Sequence, residues 1–228
     1  GTAGVIIFEN VDAVNIELLS IISGASIYGG GIYFDHSTAF LNNVKISGNS
    51  ADWGGGISCG WSSPHLENVL ITGNSATTET DGHGVGGHGG GICISFSPNF
   101  VLKNVVIIGN EAGSGGGISI LYYTNPILIN VTIADNYAYT IASELHSWSG
   151  SGPIIINSII WNNISDNNQA VFIHPQATPV VHYTNIVGGW AGEGNINTNP
   201  LFLDPNNGDY YLINTYELTS PCLDAGTA

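Results

Sequence analysis

The sequence predicts an all-β solenoid in which short coils of chain stack on one another. Two motifs recur in a fixed order: a glycine triplet followed by isoleucine, and an asparagine-bounded segment of the form N-V-x-I-x-x-N. The first stands at 29–32, 54–57, 89–92 and 115–118, and the second at 43–49, 68–74, 104–110 and 130–136. Such a recurrence, with only strand-length apolar runs inside it, is typical of repeat folds whose neighbouring units stack.

The spacing of the second motif sets the size of the repeat. Its first asparagines lie 25, 36, 26 and 27 residues apart, counting from Asn43 through Asn68, Asn104 and Asn130 to Asn157. No window carries apolar residues at i, i+3, i+4 and i+7, so helical repeats are excluded. The unit is therefore a β coil of about 26 residues, and about nine coils at ~4.8 Å each make a rod of roughly 40 Å.

The coils are assigned to residues 1–188, and residues 189–228 are predicted to close one end of the solenoid. Residues 1–23 form a divergent first coil, and residues 77–88 are an insertion that explains the long interval. From Tyr137 the repeats loosen. In the closing segment, Trp190, Phe202, Tyr210 and Tyr211 are expected to supply apolar cover, because terminal repeats must shield the core.

Strand alternation predicts which side chains point into the solenoid. The isoleucine after each triplet and the residue two positions later face inward, which gives these columns: Ile32, Ile57, Ile92, Ile118; and Phe34, Cys59, Ile94, Ile120. Two more columns follow in the second motif: Val44, Val69, Val105, Val131; and Ile46, Ile71, Ile107, Ile133. Cys93 falls one position earlier than Cys59 in its strand, so it faces outward and the two cannot pair.

The asparagines align in two further columns, which we predict to be structural ladders at bends. One contains Asn43, Asn68, Asn104, Asn130 and Asn157, and the other contains Asn49, Asn74, Asn110, Asn136 and Asn163. Asparagine tolerates the left-handed backbone conformation, and stacked amides can bond from coil to coil. A ligand-binding row of asparagines is the alternative interpretation.

The charge of the chain restricts its partners. Two Lys and no Arg oppose 17 acidic residues, for a formal net charge of −15. Nucleic acid is excluded as a partner because nothing neutralises phosphates, and no apolar run reaches the ~20 residues of a membrane span. The negative charge either attracts divalent cations or basic partners, or simply favours solubility. Because the chain begins at Gly1, we expect a processed protein or an excised piece.

The insertion contains the candidate metal ligands. Glu79, Asp81, His83 and His88 lie within ten residues among glycines, and such side chains bind divalent cations. Their spacing matches no fixed ligand pattern, so a glycine-rich surface loop without metal is the alternative. No other cofactor is expected.

The repeats resemble those of right-handed parallel β-helix proteins from bacterial and archaeal cell surfaces, and are similar to the GG-A/I repeats of polymorphic outer-membrane proteins. The tail, from GGWAGEGNINTNPLFLDPNNGDYYL to SPCLDAG at 220–226, looks like the C-terminal signature of large secreted β-helix proteins. This resemblance implies a right-handed β-helix with three short strands per coil, and an extracellular or cell-surface location.

Some enzymes that degrade pectin have the same solenoid fold, so the resemblance also raises the question of enzymatic activity. Their lyases use a Lys or Arg base, but here Lys45 and Lys103 lie in different coils and out of register. Their hydrolases use clustered Asp residues with Gly-His-Gly and a basic partner, whereas the Gly-His-Gly at 82–84 lies in the insertion without one. Nothing fixes a pair of carboxylates at the required separation. We therefore expect no catalytic residue and no enzymatic activity.

The predicted function is a non-enzymatic structural or adhesive solenoid that assembles end to end with copies of itself or binds other cell-surface components. The alternative is a carbohydrate-binding or polysaccharide-degrading protein. The residues that favour glycan binding are the tryptophans, namely Trp53, Trp61, Trp148, Trp161 and Trp190. Asn130 and Asn163 begin N-glycosylation sequons, although both also belong to the asparagine columns.

Overall fold

The computed structural model confirms the predicted fold: the chain is all-β, and its strands stack in parallel sheets that wind into a solenoid with three strands per coil. The structure describes residues 5–76, 87–148, 150–161, 164–165 and 170–223, together with 225 and 226. Within these ranges the one helical element is the short 3₁₀ turn Pro205–Asn207. The right-handed sense of the coil stays a prediction.

Three sheets run the length of the solenoid. The first sheet contains β1 (Ile6–Glu9), β4 (Ile32–Asp35), β7 (Ile57–Gly60), β11 (Ile92–Ser95), β15 (Ile118–Leu121), β19 (Leu145–Ser147) and β23 (Val171–Ile173). The second contains β2 (Val14–Glu17), β5 (Ala39–Asn42), β8 (His65–Glu67), β12 (Val101–Lys103), β16 (Ile127–Ile129), β20 (Ile154–Ile156) and β24 (Val180–His182). The third contains β3 (Ser20–Ile22), β6 (Lys45–Ser47), β9 (Leu70–Thr72), β13 (Val106–Ile108), β17 (Thr132–Ala134), β21 (Ile159–Trp161) and β25 (Asn185–Ile186).

The predicted number of coils was too high. Each main sheet has seven strands rather than about nine, and the last of these strands ends at Ile186. Six intervals at ~4.8 Å give a rod of roughly 29 Å. A fourth, short sheet that the sequence analysis did not predict runs beside the third and contains β10 (Ser75–Ala76), β14 (Glu111–Ser114), β18 (Tyr137–Ile141) and β22 (Ile164–Ser165).

The register of the strands produces the predicted columns. In the first sheet Ile57 pairs with Ile32 on one side and Ile92 on the other, and Ile92 pairs with Ile118. All four side chains are fully buried. The second and third sheets add leucine and isoleucine columns in the same way, so the core is a continuous apolar cylinder. Burial of this area is the main contribution to the stability of the stack.

The glycine triplets allow the chain to turn into the first sheet. Gly89 has φ of +68°, a left-handed conformation that costs glycine no steric penalty. Gly90 lies where a Cβ atom would collide with the backbone oxygens of Glu111 and Gly116. The bend therefore tolerates no side chain at this position, which explains why the triplet recurs.

The segment predicted to close the solenoid divides into two parts. In residues 187–197, Ile196 bridges to Asn185 at the last coil, and Trp190 packs against the core cluster. The chain then forms an antiparallel hairpin of β26 (Phe202–Asp204) and β27 (Asp209–Leu212). Tyr210 of this hairpin donates a hydrogen bond from its hydroxyl to Asp135. The hairpin thus lies along the flank of the coils rather than over their end.

Candidate functional site

A column of aromatic rings follows the first sheet at the turn where each strand ends. His36, Trp61, Phe96 and Tyr122 stack face to face, with ring centroids 5.4, 4.7 and 5.1 Å apart and interplanar angles of 5°, 7° and 9°. All four have positive φ, between 46° and 50°, and all four are exposed. We call these four residues the first ring row.

The stacking decides which part of the first ring row a ligand can reach. His36 lies over one face of Trp61 and Phe96 lies over the other. Trp61 is still 55% exposed, so the accessible part of its indole is mainly the edge. Trp61 therefore presents a ring edge, and not a flat face, to the outer surface of the first sheet.

A second line of rings crosses the other side of the same surface. Trp53 stacks on His88 with centroids 4.7 Å apart, and His88 lies 6.1 Å from His146 at an interplanar angle of 15°. We call Trp53, His88 and His146 the second ring row. Trp148, directly after β19, stacks on Phe172 with ring centroids 5.8 Å apart and is 40% exposed.

The surface between the two ring rows is a groove with a floor of small polar side chains. The floor is formed by Ser58, Cys93, Ser95 and Ser119, which alternate with core residues along β7, β11 and β15 and so face outward. Ser119 is fully buried and shares a hydrogen bond of 3.1 Å between its Oγ and Nδ1 of His146. The ring rows thus shield an outer sheet face that would otherwise be open to water.

Two cavities lie along this groove. One, of about 310 Å³, is lined by Tyr28, Tyr33, Trp53, Ser58, Gly60, Trp61, Cys93 and Ser95. The other, of about 280 Å³, is lined by Trp53, His88, Ser114, Leu121, Tyr122, Thr140, Ile141, His146 and Trp148. Neither lining contains a carboxylate among the residues that the structure describes. Concave sites with ring walls and a few polar groups are the usual form of a small-molecule binding site.

Burial keeps two titratable groups of the groove uncharged at neutral pH, His146 and Cys93. Burial lowers the pKa of His146 to about 4, with a smaller contribution from the nearby His88. Burial raises the pKa of the Cys93 thiol well above its usual value, so this cysteine is not a thiolate nucleophile. Cys59 lies on the other side of the sheet, in the core, where burial raises its pKa to about 12. The two cysteines therefore face opposite ways, as their register in the repeat requires.

The structure places the two asparagine columns in different environments. Asn43, Asn68, Asn104 and Asn130 are exposed at positive φ, and Asn157 is half-buried with the same backbone conformation. Asn49, Asn74, Asn110 and Asn136 are buried, and Oδ1 of each accepts a hydrogen bond from the backbone N–H of the preceding coil. Asn163 lies outside the described residues. The buried column is fully used in joining coils and leaves no free amide for a ligand.

Glu144 follows Asn136 in the buried column, a role that was predicted for Asn163. Its carboxyl oxygens accept hydrogen bonds from the backbone N–H of Asn136, at 3.1 Å, and from Nδ2 of Asn136, at 2.6 Å. Burial raises the pKa of this carboxyl well above its usual range, because desolvation outweighs the two bonds from Asn136. Glu144 occupies the position of the third glycine of a triplet, so the pattern of the repeats gave no sign of it.

A column of hydroxyl groups was also missed. Each backbone N–H at this turn donates to the hydroxyl of the next coil, along the column Ser37, Ser62, Ser97, Thr124 and Ser151. Each of the first three hydroxyls donates in turn to the carbonyl two residues earlier in its own coil. This hydroxyl column is hard to see in the sequence for two reasons. Its residue spacing varies because of the insertion, and it mixes Ser with Thr.

The remaining predicted site residues are dispersed. Asp81, His83 and Glu79 lie outside the described residues, and among those that are described no group of three His, Cys, Asp or Glu side chains could hold a metal ion. His88 belongs to the second ring row instead. Trp161 lines a cavity beside the C-terminal hairpin, and Trp190 packs on the core. Asn130 is exposed, with its Nδ2 bonded to Asn104.

Replacing Trp61 by alanine should lower the free energy of unfolding by about 1–3 kcal/mol, since two stacked pairs are lost at about 0.5–1.5 kcal/mol each. Trp61→Phe, which keeps a ring between His36 and Phe96, should recover most of that loss. The measurement is urea unfolding followed by circular dichroism. Equal destabilisation by both substitutions would show that the stack contributes little.

No helix among the described residues is long and apolar enough to span a membrane. Comparisons of the chain with protein-family models, with curated proteins and with solved structures find no match. The groove on the first sheet is therefore interpreted from its own chemistry.

Proposed function

We propose that this chain is a non-enzymatic adhesive β-solenoid of the cell exterior that binds glycans along the groove between its two ring rows. The observation that carries the proposal is the combination of ring walls with a hydroxyl-bearing floor across several coils. A sugar ring has apolar C–H surfaces and hydroxyl groups at its rim, so it matches aromatic walls and small polar groups at once.

The shape of the groove favours an extended ligand over a compact one. The first ring row spans four successive coils, and the floor residues Ser58 and Cys93 lie opposite each other on adjacent strands, at the strand spacing of ~4.8 Å. A linear oligosaccharide lying parallel to the solenoid axis would therefore meet similar contacts at each coil. Affinity would then come from many weak contacts in series, as is suitable for adhesion.

The chemistry of the groove supports binding rather than catalysis. Neither cavity is lined by a described carboxylate, whereas glycosidic hydrolysis usually requires two at a fixed separation. The chain's two lysines lie on other faces, Lys45 on the third sheet and Lys103 on the second. Of the two histidines in the second cavity, burial lowers the pKa of His146 to about 4, which makes it a poor base for an elimination at neutral pH.

The test is glycan binding measured with a groove variant and a matched control. In affinity electrophoresis against soluble polysaccharides, Trp148→Ala should weaken binding about tenfold, a loss of ~1.4 kcal/mol. Tyr216→Ala, which removes a fully exposed ring from the C-terminal tail, should leave binding unchanged. Equal effects of the two substitutions would refute the groove as the binding site, and release of reducing ends from a bound polymer would refute the non-enzymatic assignment.

Self-association is a second candidate function, favoured by the first coil. Ile7, Leu18 and Ile22 are 55%, 82% and 58% exposed there, and β1, β2 and β3 are edge strands of their sheets. Exposed edges pair with other chains unless they are covered. At the opposite end, residues 193–196 bond to the chain around β25, so the last strand of the third sheet is not a free edge. Sedimentation at high protein concentration tests this candidate, and a single monomer boundary would refute it.

A further inference from the structure

The location of positive charge restricts which glycans the groove can accept. The chain contains two lysines and no arginine. Lys45 is exposed on the third sheet, and Lys103 is exposed on the second sheet, where its Nζ lies 2.9 Å from Glu67. Neither contributes to the first sheet, so no Lys or Arg faces the groove. A polymer of uronic acids would find no group to neutralise its carboxylates, and the net charge of −15 would repel it.

The hydroxyl groups that line the two cavities are neutral. Ser114 and Thr140 share a hydrogen bond of 2.8 Å between their hydroxyls at the side of the smaller cavity, the one lined by His88 and His146. Ser58 and Ser95 lie on the floor of the neighbouring cavity. Hydroxyl groups both donate and accept, so they suit the hydroxyls of an uncharged sugar. If a carboxylate were buried against these hydroxyls without a cation nearby, the free-energy cost of removing it from water would be poorly compensated.

We propose that the groove selects uncharged glycans and rejects polyuronates, an inference that rests on the glycan binding proposed above. Two effects together favour neutral glycans over acidic ones. Ring edges and hydroxyls attract a neutral sugar, and the absence of cations together with the net negative charge disfavours an acidic one.

The experiment compares neutral and acidic polymers at two ionic strengths. Soluble xyloglucan, galactomannan and β-1,3-glucan are the neutral probes, and polygalacturonate and alginate are the acidic probes, all titrated calorimetrically with EDTA present. At least one neutral polymer should bind with a Kd that changes less than about twofold between roughly 20 and 200 mM NaCl, because no ion pair is formed. The acidic polymers should bind at least about tenfold more weakly at both salt concentrations.

A charge introduced into the groove provides the matched test. Ser95→Lys places a cation on the floor, and Val101→Lys places the same charge on the second sheet of the same coil. Only Ser95→Lys should acquire polygalacturonate binding, and that binding should weaken as salt is raised. Equal gains by both variants would show that overall charge, and not the groove, excludes acidic polymers, and would overturn the inference.

The outcomes separate the inference from the function on which it rests. Binding of polygalacturonate by the unmodified protein as tightly as any neutral polymer would overturn the selectivity while leaving glycan binding intact. Binding of no polymer in either class would refute the proposed function and the selectivity with it. Before titration, the circular dichroism spectrum of each lysine variant is compared with that of the wild-type protein, and a matching spectrum shows that the variant is folded.

Discussion

Replacing Asn110 by alanine is expected to lower the free energy of unfolding by about 3–5 kcal/mol, since each buried donor left without an acceptor costs about 1–3 kcal/mol. Oδ1 of Asn110 accepts hydrogen bonds from the backbone N–H and from Nδ2 of Asn74. Its own Nδ2 donates to Oδ1 of Asn136 and to the carbonyl of Ile71. Alanine removes all four of these side-chain hydrogen bonds at once in a site that excludes water, so the amide link between neighbouring coils is lost at this position.

The control is Asn104→Gly, in the exposed asparagine column of the same coil. Glycine accepts the left-handed conformation that Asn104 adopts at φ of 54°, so only the exposed amide pairs are lost. We expect a loss below about 1 kcal/mol for this variant, since water replaces the lost partners. Urea unfolding of both variants measures the difference. If Asn110→Ala were no more destabilising than Asn104→Gly, the buried column would not be what joins the coils.

Glu144→Gln is expected to make the protein more stable at pH 8 and to flatten the dependence of its stability on pH. The folded protein holds the proton of Glu144 to a pH well above the usual range, because the carboxyl is buried. In the unfolded chain the same group releases its proton near pH 4.5. Between these two pKa values the folded state binds one proton more than the unfolded state, so stability falls as pH rises, by about 1.4 kcal/mol per pH unit.

Glutamine has the size of the protonated acid and remains neutral at every pH. Its Oε1 can accept from both donors of Asn136, as each Oδ1 does in the preceding rungs. The measurement is the unfolding free energy from pH 5 to pH 9. Glu67→Gln is the control: its pKa is lowered by the hydrogen bond to Lys103, so its small effect at pH 8 should have the opposite sign. If the unfolding free energies of the wild-type protein and the Glu144→Gln variant changed with pH in the same way, Glu144 would not be the group responsible for the pH dependence.

The fold could be predicted from this sequence because the stacking of like residues is visible in it. Ile57, Ile92 and Ile118 follow identical triplets, and the same alignment makes them neighbours in the first sheet. The number of coils could not be predicted as well. The divergent first coil and the looser repeats after Tyr137 lack the complete motifs by which coils are counted.

The groove was harder to predict because its rows do not conserve residue type. His36, Trp61, Phe96 and Tyr122 share only a planar ring, and the tryptophans taken alone suggested isolated contacts. What they have in common is their position, directly after a strand of the first sheet. Ring stacking between coils is available to any aromatic side chain at that turn, so the residue type alone does not reveal the row.

The direction of the buried amide column also limits how the molecule can vary in length. From Asn49 to Asn136 every rung donates toward the C-terminal coils, and the carboxyl of Glu144 accepts from the last of these asparagines. A duplicated coil inserted among the asparagine rungs would find an amide donor on one side and an amide acceptor on the other. A coil inserted between Asn136 and Glu144 would instead have to bond to a carboxyl group, so duplication among the asparagine rungs preserves the pattern and duplication at Glu144 does not.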